Sequence, residues 1–199
     1  MTKASFIVKA IKRYNGVCNS RYIYTRLSMK SILLLFLLFN QLFAFFEDIQ
    51  TFSASFRQSI TDDHNKTIVY SGKILTKRPD MALWIYIAPV EKKIYMQKHT
   101  VIVVEPELEQ AIVKELGNDL DLFAIFSKAK SLGNGSYLAD YMDVSFKIEM
   151  EDDTIKSISY KDDFENSVEV IFENQKTNIE LKESLFKADI PNDYDVIGD

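Results

Sequence analysis

The sequence predicts a mainly β fold with a small helical share: about ten or eleven antiparallel strands in one large sheet that curls, with helices closing its concave face around an apolar pocket. Three observations carry this reading. Short runs of β-branched and aromatic residues recur between turn signals along residues 51–181. A window at helical spacing, Leu122, Phe123, Phe126 and Ala129, interrupts them midway. The run Met81–Ala88 is apolar on both of its faces, which a sheet covered on one side does not require.

That last run belongs to the element around which the chain is organised. Thr67–Thr76 and Met81–Ala88 flank Lys77-Arg78-Pro79-Asp80. The proline there removes an N–H donor and holds the residue before it extended, so the pair reads as a β-hairpin. Met81, Leu83, Ile85 and Ile87 point one way; Ala82, Trp84, Tyr86 and Ala88 point the other.

Before the hairpin, Phe45–Gln50 reads as a short helix and Phe52–Ile60 as a strand with Phe52, Ala54, Phe56 and Gln58 on one side. Asp62-Asp63-His64-Asn65 is a turn. After the hairpin come strands at Glu91–Gln97, Val101–Val104 and Gln110–Lys114, the last two separated by a turn at Glu105-Pro106-Glu107. A helix follows, with Asn118 or Asp119 as its N-cap, ending before Gly133. Leu120, Ala124 and Ile125 give it an apolar outer side as well. Beyond the Gly133-Asn134-Gly135 turn, strands are expected at Tyr137–Tyr141, Val144–Met150, Ile155–Tyr160, Val168–Phe172 and Thr177–Leu181. In Val144–Met150 apolar residues alternate with Ser145, Lys147 and Glu149, so one face is wet and the other buried.

The 199 residues carry a net charge of −5, unevenly distributed. Residues 1–44 hold seven of the 24 basic residues and no acid, which leaves 17 bases against all 29 acids and a balance of −12 in residues 45–199. A chain so acidic lacks the basic footprint that nucleic acids or anionic membrane surfaces need. The N-terminal excess fits an export signal: Met29-Lys30, the apolar run Ser31–Phe39, then Asn40-Gln41-Leu42-Phe43-Ala44. The run falls short of the roughly 20 apolar residues of a membrane-spanning helix. Cleavage near Ala44, a true start at Met29 and one mature domain over residues 45–199 are the expectations, with the mature protein in the exported compartment. The single cysteine, Cys18, precedes the signal, so neither a disulfide nor a lipid-bearing cysteine follows it.

Signs of chemistry are few. His64 and His99 stand singly in polar loops, with no companion at metal-ligand spacing. Asp162, Asp163 and Glu165 read as a solvated turn rather than paired catalytic carboxylates, because neighbours on an extended chain face opposite ways. No phosphate loop, nucleophile elbow or HExxH motif is present. Neither an enzyme nor a cofactor is expected.

One order of residues is more specific. Phe52-Ser53-Ala54-Ser55-Phe56-Arg57-Gln58 is followed by Gly72, Lys77-Arg78-Pro79, Trp84, Pro89, Pro106 and Glu109-Gln110-Ala111, then by a helix and a closing Leu185-Phe186, Ile190-Pro191 and Asp195-Val196-Ile197. This order resembles the LolA family of periplasmic outer-membrane lipoprotein carriers across nearly all of residues 45–199. The resemblance implies an incomplete antiparallel barrel closed by helices, a monomer that takes lipoproteins by their acyl chains from an ATP-driven (ABC-type) inner-membrane release complex and delivers them to an outer-membrane acceptor. The related acceptor is itself a lipoprotein, which the missing post-signal cysteine argues against here. A lipoprotein-sensing or envelope-stress regulatory module on the same fold is the alternative. The chain departs from the family pattern where Gln97-Lys98 replaces a usual Asp-Gly turn, and where Ile102 and Val104 occupy commonly aromatic positions, so a differently shaped cavity is expected.

On this reading Phe52, Phe56, Leu83, Trp84, Tyr86, Ile94, Met96, Leu122, Phe123 and Phe126 line the cavity and its lid. Arg78 matches the arginine that the resemblance assigns to the lid latch. Composition alone favours ordinary core packing for Trp84, while for Phe123 and Phe126 helix-to-sheet packing and a place in the lid stand equally and are compatible.

Overall fold

Among the described residues twelve strands form one sheet, open at both ends. The computed structural model describes residues 48–115 and 122–198, all of them within the unit Leu42–Asp199. The export signal, Cys18, the residues Phe45–Glu47 of the first expected helix and the N-cap candidates Asn118 and Asp119 lie outside the described residues.

The first half is a meander: β1 (Thr51–Thr61), β2 (Thr67–Lys77), β3 (Met81–Ala88), β4 (Lys92–Gln97), β5 (Thr100–Glu105) and β6 (Gln110–Glu115). The second is another: β7 (Lys130–Gly133), β8 (Ser136–Tyr141), β9 (Val144–Glu151), β10 (Thr154–Lys161) and β11 (Ser167–Thr177). Pairing of β1 with β11, Phe56 opposite Phe172 and Ile60 opposite Val168, joins the halves into one surface. Between them lies helix α1 (Leu122–Ser127), and β12 (Asp195–Gly198) adds to β6 in parallel. The order across the sheet is β12-β6-β5-β4-β3-β2-β1-β11-β10-β9-β8-β7.

Alternation along each strand decides the two faces. Phe52, Ala54, Phe56, Ile74, Tyr86, Phe146, Ile148, Val168, Val170 and Phe172 share the inner face and bury against Phe123, Ile125 and Phe126 of α1. Each Val, Ile or Phe among them contributes about 1.5–3 kcal/mol by leaving water. On the outer face Leu83, Tyr95, Val104 and Ala111 form a second cluster with Leu181 and Phe186. The expectation of apolar cover on both sides of Met81–Ala88 therefore holds, and the outer cover is the C-terminal segment.

That segment includes the short 3-10 turn Glu183–Phe186. It is held by the Lys77 Nζ donating to the Leu181 carbonyl at 3.1 Å and by the Thr51 hydroxyl donating to the Ile179 carbonyl at 2.7 Å.

Gly72 is required by a close approach. A Cβ there would lie 2.0 Å from the Ile85 carbonyl oxygen and 2.9 Å from Cε1 of Phe56, whose ring packs against Trp84 and Tyr86.

Several expectations are corrected. Thr177–Leu181 does not form a separate strand: β11 runs to Thr177, and Asn178, at a φ of 54°, turns the chain to hydrogen-bond Gln50 N–H through its Oδ1. Gln50 lies in a bend rather than a helix. Strands β7 and β12 fall outside the expected set; both are four residues long with every residue exposed, too short to show an alternating apolar pattern. The described part of α1 ends at Ser127, and among the described residues it is the only α-helix, accompanied by the 3-10 turns Pro106–Leu108 and Glu183–Phe186. Ile102 and Val104 belong to the outer cluster, so their departure from aromatic character does not shape an inner cavity.

Candidate functional site

Between the inner face and α1 lies a cavity of about 350 Å³. Strand alternation builds its walls. Thr76 of β2 stands opposite Ala82 of β3, which stands opposite Met96 of β4; one row further, Ile74, Trp84 and Ile94 line up in the same way. Ala82, Trp84, Tyr86, Ile94 and Met96 supply one wall, and Phe146, Ile158, Tyr160, Val170 and Phe172 the other. Leu122 and Ile125 of α1 close it. The lining is mostly apolar and aromatic, with Gln58, Thr76, Lys161, Asp162 and Asp163 as its polar and charged members, the make-up of a site for an apolar ligand with a few polar groups.

Aromatic rings stiffen one side. Phe56 meets Trp84 and Tyr86 edge-on, with centroids 5.0 and 5.1 Å apart, and Trp84 stacks with Tyr86 at 6.4 Å. The Tyr86 hydroxyl donates to Gln58 Oε1 at 2.9 Å. Burial pushes the pKa of Tyr86 up, with smaller contributions from Tyr160 and Tyr70, so the phenol stays neutral and remains a donor. Tyr160 is raised too, by burial first and by the charge of Asp162 second. Lys92 places its Nζ 4.6 Å from the Tyr86 ring centroid and 5.4 Å from that of Tyr70.

Arg78, in the turn between β2 and β3, reaches α1. Its guanidinium carbon is 4.4 Å from the Phe123 ring centroid, and its Nε–H donates to the Ile49 carbonyl at 2.8 Å. Its own backbone N–H donates to the Gln50 carbonyl at 2.9 Å.

Of the residues singled out in the sequence, Trp84, Tyr86, Ile94, Met96 and Leu122 line the cavity. Phe52, Phe56, Phe123 and Phe126 are buried in the same inner cluster. Leu83 is not with them; it lies on the outer face beneath the C-terminal segment. The reason is elementary, since Leu83 and Trp84 are consecutive on one strand and must face opposite ways.

Most lining residues outside the expected set come from β9 to β11, where alternation marks a buried face without marking it as a cavity wall; Gln58, Ala82, Ile125, Asp162 and Asp163 are the others besides Thr76. Thr76 also went unnamed, its polar side chain giving no apolar signal. A second groove, about 580 Å³, opens on the outer side between Met81, Tyr95, Ile102 and Phe186, but Lys98, Gln97, Glu183 and Lys187 also line it, which suits acyl chains less. Asp62, Asp63 and His64 group closely enough to hold a cation, yet they form an exposed turn in which Asp62 Oδ1 already accepts the His64 and Lys66 N–H groups.

Residues 47–131 match the family model described as outer membrane lipoprotein carrier protein LolA. A Campylobacter jejuni protein named outer-membrane lipoprotein carrier protein is 39% identical over 168 residues, 84% of this chain and 98% of its own length. A protein of the same name from Wolinella succinogenes is 34% identical over 157 residues, covering 78% of this chain and 91% of the relative. One from Helicobacter pylori is 32% identical over 140 residues, covering 70% and 75%.

Proposed function

The chain belongs to the LolA family of outer membrane lipoprotein carriers, and from that premise we propose that it carries lipoproteins through the periplasm by sheltering their acyl chains between the inner sheet face and α1. The observation that carries the reading is a cavity walled by Trp84, Ile94, Met96 and Phe172 and closed by Leu122 and Ile125 of α1. An acyl chain taken from water into such a site gains about 0.8 kcal/mol per methylene. No covalent chemistry is needed for that task, and none is proposed.

Loading has a geometric requirement. A volume of about 350 Å³ sits at the low end of the roughly 300–1,000 Å³ that holds one drug-sized ligand. Several long chains need more room, and α1 is the element whose departure would supply it, taking Phe123, Ile125 and Phe126 out of the inner cluster. In this reading α1 is the lid, Arg78 is its latch, and the acyl chains replace the lid's aromatic and aliphatic side chains as the core's filling. Because cargo and lid compete for the same apolar surface, release does not have to overcome the full burial energy of the chains.

The carrier takes cargo from an inner-membrane ABC-type release complex and passes it to an outer-membrane acceptor. Purified protein mixed with one lipoprotein in triacylated form, and with the same protein carrying Ala at the lipidated cysteine, tests the reading. The expected result is a stable complex with the acylated form alone; equal binding of both forms would refute acyl recognition.

A further inference from the structure

We infer that the Thr76 hydroxyl is a hydrogen-bond donor built into the apolar cavity, and that it selects ligands bringing a carbonyl oxygen, an acyl ester or amide, over hydrocarbon or ether chains of the same size. This rests on the carrier reading and narrows its ligand class.

Thr76 is 1% exposed, and its Oγ1 has no hydrogen-bond partner in the protein. Thr76 is among the residues that line the cavity. It lies in one row across the sheet, between Phe52 on β1 and Ala82 on β3, with Met96 beyond Ala82. Its neighbours in the row are thus all apolar.

A buried hydroxyl left unpaired costs as much as a lost hydrogen bond, and a valine of nearly the same shape would avoid that cost. On the same wall the Tyr86 hydroxyl donates to Gln58 Oε1 at 2.9 Å, while Tyr160, Lys161, Asp162 and Asp163 are the remaining polar members of the lining. Of Thr76, Tyr86 and Gln58, Thr76 alone has an unmet hydroxyl, and its Oγ1 is covered by neighbouring atoms in the closed state. A hydroxyl brings one donor hydrogen and two lone pairs. What suits it among the apolar Phe52, Ala82 and Met96 is an uncharged acceptor, because a charged one would itself have to be desolvated. Among apolar ligands, that acceptor is the carbonyl at the head of an acyl chain.

The test uses two pyrene-labelled glycerol lipids of equal chain length, one diacyl ester and one dialkyl ether, bound to the purified protein and to its T76V and T76S variants. A neutral hydrogen bond predicts that the wild type prefers the ester about three- to tenfold. T76V should bring that ratio to about one, and T76S should keep it. T76V should also raise the Tm of the ligand-free protein, because it removes an unpaired buried hydroxyl. A wild-type ratio of one, or a T76V ratio equal to the wild type, would overturn the assignment. So would a lower Tm for T76V, which would mean that the hydroxyl serves a partner within the fold. Binding of neither probe would instead overturn the carrier reading beneath it.

Discussion

The guanidinium of Arg78 covers the ring of Phe123 at 4.4 Å while its Nε–H is 2.8 Å from the Ile49 carbonyl, so one side chain touches both α1 and the segment entering β1. Hairpin, helix and chain entry therefore move apart only if these contacts break. Replacing Arg78 with Leu keeps part of the apolar stem and removes both contacts. The ligand-free protein should lose about 1–2 kcal/mol, the sum of one cation–π contact and one hydrogen bond. Acyl-probe exchange should become several-fold faster by stopped-flow fluorescence. Unchanged exchange would remove Arg78 from any role in holding α1 down.

Phe123 is 2% exposed and among the largest fully buried side chains. Truncating such a ring in a fixed core costs about 3–5 kcal/mol. Phe123→Ala should reach the lower part of that range in thermal unfolding of the empty protein. It should also enlarge the cavity, and saturating acyl ligand should restore much of the loss, because cargo fills the space the ring leaves. A core residue with no part in binding would show the same loss with and without ligand.

How far these features could be read in advance follows from what a local pattern contains. The hairpin around Arg78-Pro79, the two-faced apolar strand at Trp84 and the alternation of Val144, Phe146 and Ile148 are signals between near neighbours, and each matches an observed element. What covers Leu83 is not local. Leu181 and Phe186 arrive there from the far end of the chain, and nothing in Leu83's own strand says which face they will choose. Strand β12 pairs in parallel with β6 through exposed residues, a partnership set by where the C-terminal segment is delivered rather than by its own pattern. Thr76 is the converse case: a polar residue inside a strand announces no burial, and only the register puts it among Phe52, Ala82 and Met96.

Gly72 offers a test of the sheet itself. A methyl group there would meet the Ile85 carbonyl at 2.0 Å, backbone that cannot rotate aside. Gly72→Ala should therefore force β2 and β3 apart, costing about 3 kcal/mol or more by the measure of overpacked cores. Urea unfolding of the variant checks this. A loss below 1 kcal/mol would mean that the two strands separate readily at this point.

The loop joining β10 and β11 carries a pH dependence. Asp162 accepts the Asn166 side-chain N–H at 2.9 Å through Oδ2, and the backbone N–H groups of Phe164 and Asn166, each at 2.9 Å, through Oδ1. Those bonds, the Asn166 side chain's first, hold its carboxyl below the usual aspartate value. A lowered folded-state pKa adds stability that is complete above the unfolded value, about 3.9, and fades as pH falls through the folded one. Acid unfolding of the wild type should include this component below about pH 4, and Asp162→Asn should lack it while matching the wild-type slope near neutrality. An identical acid limb for both proteins would show that the loop contacts do not survive in solution.

Leu83 and Trp84 are consecutive on β3, yet one lies 5% exposed beneath the C-terminal segment and the other lines the inner cavity. Alanine at each position separates stability from binding. Leu83→Ala should cost about 2–5 kcal/mol and leave the acyl-probe dissociation constant within twofold, at a temperature where both proteins stay folded. Trp84→Ala removes cavity wall and the contacts to Phe56 and Tyr86, so it should cost stability and also weaken or reshape probe binding. Titration with one fluorescent acyl probe, together with thermal unfolding, measures both effects. If Leu83→Ala impaired the probe as much as Trp84→Ala, acyl chains would be reaching the outer face, and the site would have to be moved to the groove beside Phe186.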